Sequence, residues 1–390
     1  MKKIWLIIVF LLIATACNEI EEKVQLTESD TGEEAEVSEA LPENDKEKEI
    51  EASDEVPEVA VADVPLFSFR DKESRKYGFF NKEGEVVIEP QFVYAADFSE
   101  GLGLVAIVEG SGPAEHGFID VNGEFVIEPQ FKRANSFSNG YAAVLKGAEY
   151  GYINPQGEMV IILEHLSGYQ LIGHDDFSDG LARLGYRKTK TDPQQESEYF
   201  VAYINTNGEM IISPMYETGT YFNKGLALVH NEQTEYYIDT EGNVVMEFDQ
   251  EEIFRCPFQE GLACVTENGK RGFINRDGEM VIEPRYDRVE SFSNGLASVK
   301  KGESWGYINN EGEYLIEPQY SHAQSFSEGL AWVEIEGKWG LIDRTNQLLV
   351  DPIFDNALSF HGGLALVTVD EESWFINRSG DFIFSPLNNK

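Results

Sequence analysis

The chain has 390 residues and a formal charge of −40, with 70 acidic against 30 basic side chains. A surface this acidic repels nucleic acid and anionic lipid headgroups, because neutralising phosphates takes Lys and Arg. Its 3 cysteines are too few for a disulfide scaffold.

Met1, Lys2 and Lys3 precede a short, almost wholly apolar run, Ile4 to Ile13. Positive charge ahead of such a run is the pattern of a secretory signal peptide. The run is shorter than the roughly 20 residues a bilayer span takes. It ends in Ala14, Thr15, Ala16 and Cys17. A small-residue cleavage site followed directly by cysteine resembles the bacterial lipoprotein signal, with Ala14 where that family most often has leucine. The resemblance implies a signal peptide over residues 1–16, acylation of Cys17, and a mature chain held by lipid on the exported face of the cell membrane. A plain signal peptide with a chance cysteine, or an uncleaved anchor, is the alternative.

Residues 18–64 contain no aromatic side chain and carry 18 acidic against 3 basic groups. Such a segment cannot bury enough apolar surface to offset its ordering entropy. With Cys17 it reads as a disordered, self-repelling tether over 17–64, about 40 Å long as a coil and about 160 Å stretched. The other reading is an acidic interaction tail. Residues 65–390 keep a charge of about −27, from 52 acidic and 25 basic groups. That favours cationic, neutral or metal-bridged partners, or serves solubility alone.

Internal repetition dominates residues 65–390 and is read before local propensity. One line runs aromatic-Gly, aromatic-Ile-Asn/Asp, two residues, Gly-Glu, an apolar pair, Ile-Glu-Pro. Examples are Trp305-Gly306-Tyr307-Ile308-Asn309 with Gly312-Glu313 and Ile316-Glu317-Pro318, and Tyr77 to Asn81 with Gly84-Glu85 and Ile88-Glu89-Pro90. A second line, Phe-Ser-x-Gly-Leu, recurs at Phe98, Phe292 and Phe326. The glycine of the first line falls at Gly78, Gly117, Gly151, Gly272, Gly306 and Gly340, with Ala202, Tyr236 and Trp374 in three degenerate copies; the commonest spacing is 34. The pattern resembles the WG, or KWG, repeat family of bacterial proteins over nearly all of residues 65–390. Trp-Gly itself stands only at Trp305-Gly306 and Trp339-Gly340. The resemblance implies a β-rich repeat, usually non-catalytic, and no particular ligand.

Within one repeat, Leu296 to Lys300 alternates as a half-buried strand should. Trp305 to Asn309 and Tyr314 to Ile316 are short apolar runs, joined by Asn309-Asn310-Glu311-Gly312, a hairpin signal. Pro318 is expected to close the third strand. The fold class is therefore all-β: a tandem array of about nine three-stranded antiparallel units, starting near Leu66, Leu102, Tyr141, Leu181, Leu226, Leu262, Leu296, Leu330 and Leu364. Units this small must stack on their neighbours. Both a curved, solenoid-like array and a propeller-like ring satisfy that need, and the uneven spacing favours the curved array. The last unit ends in phase at Pro386, so closure by an exchanged strand is not expected. Phe98, Phe137, Phe177, Phe222, Phe258, Phe292, Phe326 and Phe360 share one phase and are assigned to packing between units.

No catalytic, cofactor or metal motif appears among HExxH, Cys-x-x-Cys, phosphate-binding loops and nucleophile elbows. The histidines (His116, His165, His174, His230, His322, His361) show no ligand spacing. Ser99, Ser293 and Ser327 recur with the fold and read as structural. Asp175-Asp176-Phe177-Ser178-Asp179-Gly180 lacks the alternating oxygen ligands of a calcium loop. The row Glu89, Glu128, Glu283, Glu317 reads as a solvated strand end, with weak cation binding as the alternative. Cys256 and Cys264 are near enough for a local disulfide, but ordinary repeat positions favour two buried thiols. Trp305, Trp339 and Trp374 in the aromatic-Gly region, and Trp332 on a first strand, are candidates for stacking on sugar rings, against a core role. Two insertions break the period: Leu163 to His174, and Arg187 to Glu198, a long hairpin tip whose Arg187, Lys188 and Lys190 form a candidate contact cluster. Deleting Lys188 to Gln195 is expected to leave folding intact.

The reading that follows is a non-catalytic, surface-anchored lipoprotein whose repeats bind an envelope protein or cell-wall glycan, with no cofactor and no nucleic acid. A propeller-like enzyme and a structural spacer or adhesion element are the alternatives. A concave pocket of unique residues would favour the enzyme; a broad recurrent aromatic face would favour glycan binding.

Overall fold

The computed structural model describes residues 65–190, 196–232, 234–249 and 256–386. The signal peptide expected over 1–16 and the tether expected over 17–64, with Cys17, lie outside these residues. Nine antiparallel sheets follow one another along the chain, at 67–92, 94–131, 133–163, 169–216, 218–249, 263–286, 288–320, 322–354 and 356–384, here blades one to nine.

Blade seven shows how the sequence builds a unit. Ala297–Lys301 and Ser304–Ile308 pair antiparallel, with Val299 opposite Gly306. Asn309 then opens a tight turn. Its Oδ1 accepts from the backbone N–H of Glu311 at 3.1 Å and Glu313 at 2.9 Å. Gly312 completes the turn at φ +82°, where a side chain would be strained. The third strand, Tyr314–Tyr320, runs back along the second and passes through Pro318 instead of ending there. Trp305 faces Tyr320 while Tyr307 faces Ile316, so the strand bulges around the proline. This strand is the edge of its sheet, and on an edge the missing donor breaks no ladder bond. The bulge crowds Gly306: a Cβ there would lie 2.7 Å from Pro318 N. Gly78, Gly117 and Gly272 meet the same crowding, which accounts for the glycine after the aromatic. Ala202 stands at this place in blade four, so the backbone can yield.

The blades are not simply three-stranded. Seven sheets carry a fourth strand, only two residues long in six of them, as at Tyr94–Ala95 and Arg288–Val289. It joins the first long strand through the Phe-Ser-x-Gly segment, which is a two-residue hairpin. In blade seven Ser293 and Leu296 bond each other in both directions, at 2.9 and 3.2 Å, and Asn294 and Gly295 take φ +55° and +76°. Two consecutive positive φ values match the right-handed strand twist in such a turn.

Nine buried clusters fill the spaces between blades, each drawing on two neighbours. The corner phenylalanines supply the key: Phe292 lies 4.8 Å from Phe273 of blade six, Phe326 4.8 Å from Tyr307 of blade seven, and Phe137 4.8 Å from Phe118 of blade two, all edge to face or tilted. Where the partner is a tyrosine, its hydroxyl donates to a backbone carbonyl of the next blade, as Tyr307 does to Gln324 O at 2.7 Å. Burial and this bond together suit tyrosine. The ninth cluster joins Phe67, Phe69 and Phe80 of blade one to Leu364 and Phe384 of blade nine. Phe80 stacks on Phe384 at 4.1 Å. The array is therefore a closed, nine-bladed β-propeller, not the open curve that the uneven spacing favoured. Among the described residues no strand is exchanged at the closure.

Cys256 and Cys264 are joined as a disulfide, with Cα atoms 5.3 Å apart, not held as separate thiols. Their separation of eight is that of residues facing each other across the Phe-Ser-x-Gly hairpin, as in the backbone bonds from Glu290 to Ser298 and Gln324 to Trp332. Purified under non-reducing conditions, the protein should show one blocked thiol pair at Cys256 and Cys264 in peptide mass spectra. Reduction should lower stability by roughly 2–3 kcal/mol, the chain-entropy value for so short a loop. Quantitative alkylation of both cysteines in the native, unreduced protein would contradict the pairing.

Candidate functional site

The recurrent side chains serve the ring. Ser99, Ser293 and Ser327 donate to the carbonyls of Phe137, Phe326 and Phe360 on the next blade, at 2.7, 2.7 and 2.8 Å. The carboxylate of Glu260 accepts from Gly295 N at 2.8 Å, again one blade on. Glu89, Glu128, Glu283 and Glu317 are exposed along edge strands, and no cluster among the described residues has the make-up of a metal site.

The tryptophans do not form an open aromatic face. Trp305 is 3% exposed and Trp332 1%, so neither can stack on a sugar. Trp332 fills the space between blades eight and nine, parallel to Phe360, with its Nε1 donating to Leu358 O at 2.9 Å. Trp339 and Trp374 are half-buried against the same cluster. The large rings are consumed by inter-blade packing.

The strands flanking the 187–198 insertion, Leu181–Lys188 and Tyr199–Asn205, pair as expected, and 191–195 at its tip lie outside the described residues. Two of its cations are already engaged. Lys188 pairs with Glu198 at 2.7 Å, and Arg187 donates to Gln170 Oε1. Lys190 is exposed. Lys188 is also the last rung of its ladder, opposite Tyr169, so a deletion beginning at Lys188 removes part of blade four as well as the tip.

The other insertion builds what the sequence reading missed. Residues after Leu163 extend the short fourth strand of blade four into Tyr169–Ser178, ten residues paired with Leu181–Lys188. This strand bulges twice, between Leu171 and Gly173 and between His174 and Phe177. Bulges re-aim side chains, and here they set His174 and Asp175 into a pocket of about 390 Å³ between blades three, four and the start of five. Arg133 of blade three, Arg183 of blade four and Glu217 just ahead of blade five complete its polar lining. Tyr150, Tyr199 and Phe200 supply its aromatic walls.

Most polar groups in this pocket are held by the fold. His174 Nε2 donates to Gly151 O at 3.0 Å, and burial pushes its imidazole below the ordinary histidine value. Asp175 accepts from Arg183 Nε at 2.6 Å, and the same guanidinium donates to Gly219 O. Next to the pocket, Asp176 accepts from Asn135 at 3.0 Å. Burial raises the Asp176 carboxyl above its usual range, with the charge of Asp175 adding to the shift and the Asn135 bond opposing it. His230 Nδ1 lies 3.7 Å from Glu217. Arg133 is exposed on its two-residue strand.

The "WG containing repeat" profile matches residues 77–109, 117–149, 202–232, 237–270, 272–304, 305–339 and 339–372. The chain belongs to the WG-repeat family. The stretch between matched segments, 150–201, holds His174, Asp175 and Arg183: the pocket is built where this WG-repeat propeller departs from its own repeat. No curated protein matches the chain. Among solved structures, a protein of unknown function from Bacteroides caccae aligns over 55% of this chain and 92% of its own at 14% identity and a TM-score of 0.25. The Pan2 WD40 domain of Neurospora crassa aligns over 72% and 86% at 12% identity and 0.30. Scores this low carry no argument. A WG-repeat propeller fits a binding module.

Proposed function

We propose that this WG-repeat protein is an exported lipoprotein, anchored through a lipid on Cys17, whose propeller binds an envelope glycan in the pocket of blade four. One observation carries the reading: the polar side chains of this pocket converge from three successive repeats without recurring around the ring, and aromatic side chains line it beside them. Open aromatic rings beside hydroxyl-binding carboxylates suit a polyhydroxylated ligand, and a volume of about 390 Å³ falls in the range of small-molecule sites.

Catalysis at the same place is the second reading, favoured by the singularity of His174, Asp175, Arg183 and Glu217. Against it, His174 and Asp175 are tied to Gly151 O and Arg183.

The test is retention of the full chain on insoluble cell wall. Tyr199→Ala, at a side chain 51% exposed, should leave folding intact and abolish retention. Release of soluble saccharides from the wall would establish the enzyme instead. Capture of a membrane protein with no wall retention would make the propeller an assembly scaffold. For the anchor, Cys17→Ser should move the protein from the membrane to the soluble fraction.

A further inference from the structure

We infer that the ligand of this pocket is an acidic sugar, its carboxylate gripped by Arg133 while Tyr199 stacks on the ring; this rests on the pocket being the binding site. Charge is the first reason. The described domain is strongly acidic, so an anion approaches it only where a cation is locally uncompensated. Arg183 is neutralised by Asp175 and bound to Gly219 O. Arg133 lines the same pocket from the preceding blade, and its guanidinium has no hydrogen-bond or ion-pair partner among the described residues, though five donors in a planar fork are its chief chemical asset.

Geometry is the second reason. The short strand that carries Arg133 pairs with Leu145 on one side of the pocket, so the guanidinium starts from fixed backbone. Tyr199, at the start of the strand Tyr199–Asn205 of blade four, also lines the pocket. Asp175 and Glu217 keep acceptor lone pairs for hydroxyls. These same two carboxylates decide between anions. A monoanionic carboxylate matches one guanidinium bidentately, whereas a phosphate dianion would leave charge unmatched beside two acids.

The test compares the methyl glycosides of glucuronate, galacturonate and N-acetylmuramate with those of glucose, galactose and N-acetylglucosamine, by calorimetry or saturation-transfer NMR on the full chain. At least one acidic glycoside should bind about tenfold tighter than its neutral partner, the order expected of a charged hydrogen bond. Arg133→Gln should erase that preference, Arg133→Lys should keep part of it, and Tyr199→Ala should weaken both members of the pair. Neutral partners binding equally well, or a preference that survives Arg133→Gln, would overturn the inference while leaving the pocket itself in place through the Tyr199→Ala effect. Absence of binding by all six glycosides also overturns it; the pocket is then judged separately by wall retention of the Tyr199→Ala chain.

Discussion

Replacing Phe384 by alanine should destabilise the domain by about 3–5 kcal/mol, the range for truncating a buried phenylalanine. Phe384 is 4% exposed and stacked on Phe80, which is fully buried; Phe69 meets it edge-on at 4.8 Å. What makes the site decisive is its place in the ring. Among the described residues, blades one and nine have no chain crossing between them and no shared strand. Their cohesion rests on the cluster of Phe67, Phe69, Phe80, Leu364 and Phe384. Differential scanning calorimetry should show a fall in melting temperature of roughly 4–7 °C for a domain of this size. An open array makes a different forecast. Its terminal faces are already solvated, so truncating Phe384 would cost well under 1 kcal/mol. That outcome would open the ring in solution.

The sequence carried the repeat, the turn and the packing phase, because each is written in local chemistry. Leu181, Leu226, Leu330 and Leu364, taken as starts of units, begin the first long strands. Asn309 and Gly312 form the turn their identities demand. The fourth strand escaped because two residues cannot show alternation, although Asn139-Gly140 and Asn294-Gly295 are strong hairpin signals. Without that hairpin, the eight-residue separation of Cys256 and Cys264 had no geometric meaning. Closure escaped for a related reason. The longest irregularity is absorbed inside blade four as a longer strand and a hairpin tip, so it does not disturb the step between blades. The cue that was present, phenylalanines at Phe67, Phe69, Phe80, Phe375 and Phe384, sits at opposite ends of the chain.

The site was the least legible part. Arg133, His174 and Glu217 belong to successive repeats and meet only when those repeats are stacked in register. Asp175 stands out in the sequence only as part of a run that fails as a calcium loop. The tryptophans drew attention for their chemistry, yet a thin blade needs a large ring most where its neighbours supply small residues. Trp332 stands where blade three has Ala143 and blade seven Ser298, all buried, and there it serves as filler.

Phe292→Ala should also cost about 3–5 kcal/mol, but through an interface that the chain itself bridges. Phe292 is 2% exposed, 4.8 Å from Phe273, and packed in a cluster with Cys264, Tyr286 and Ile308. Its removal leaves a cavity that the hairpin beneath it cannot close, because Ser293 is held to Phe326 O at 2.7 Å on the far side. Phe292→Leu keeps most of the volume and should cost less than about 1.5 kcal/mol, which separates lost packing from a lost aromatic contact. The clusters around Phe292 and Phe384 share no residue, so the two alanine effects should add to within about 0.5 kcal/mol. Their kinetics should differ. Loss of the Phe384 cluster releases a boundary with no covalent link and should speed unfolding more, whereas blades six and seven remain neighbours through residues 286–288. A neutral Phe292→Ala in thermal melts would remove the corner phenylalanines from the account of how the blades cohere.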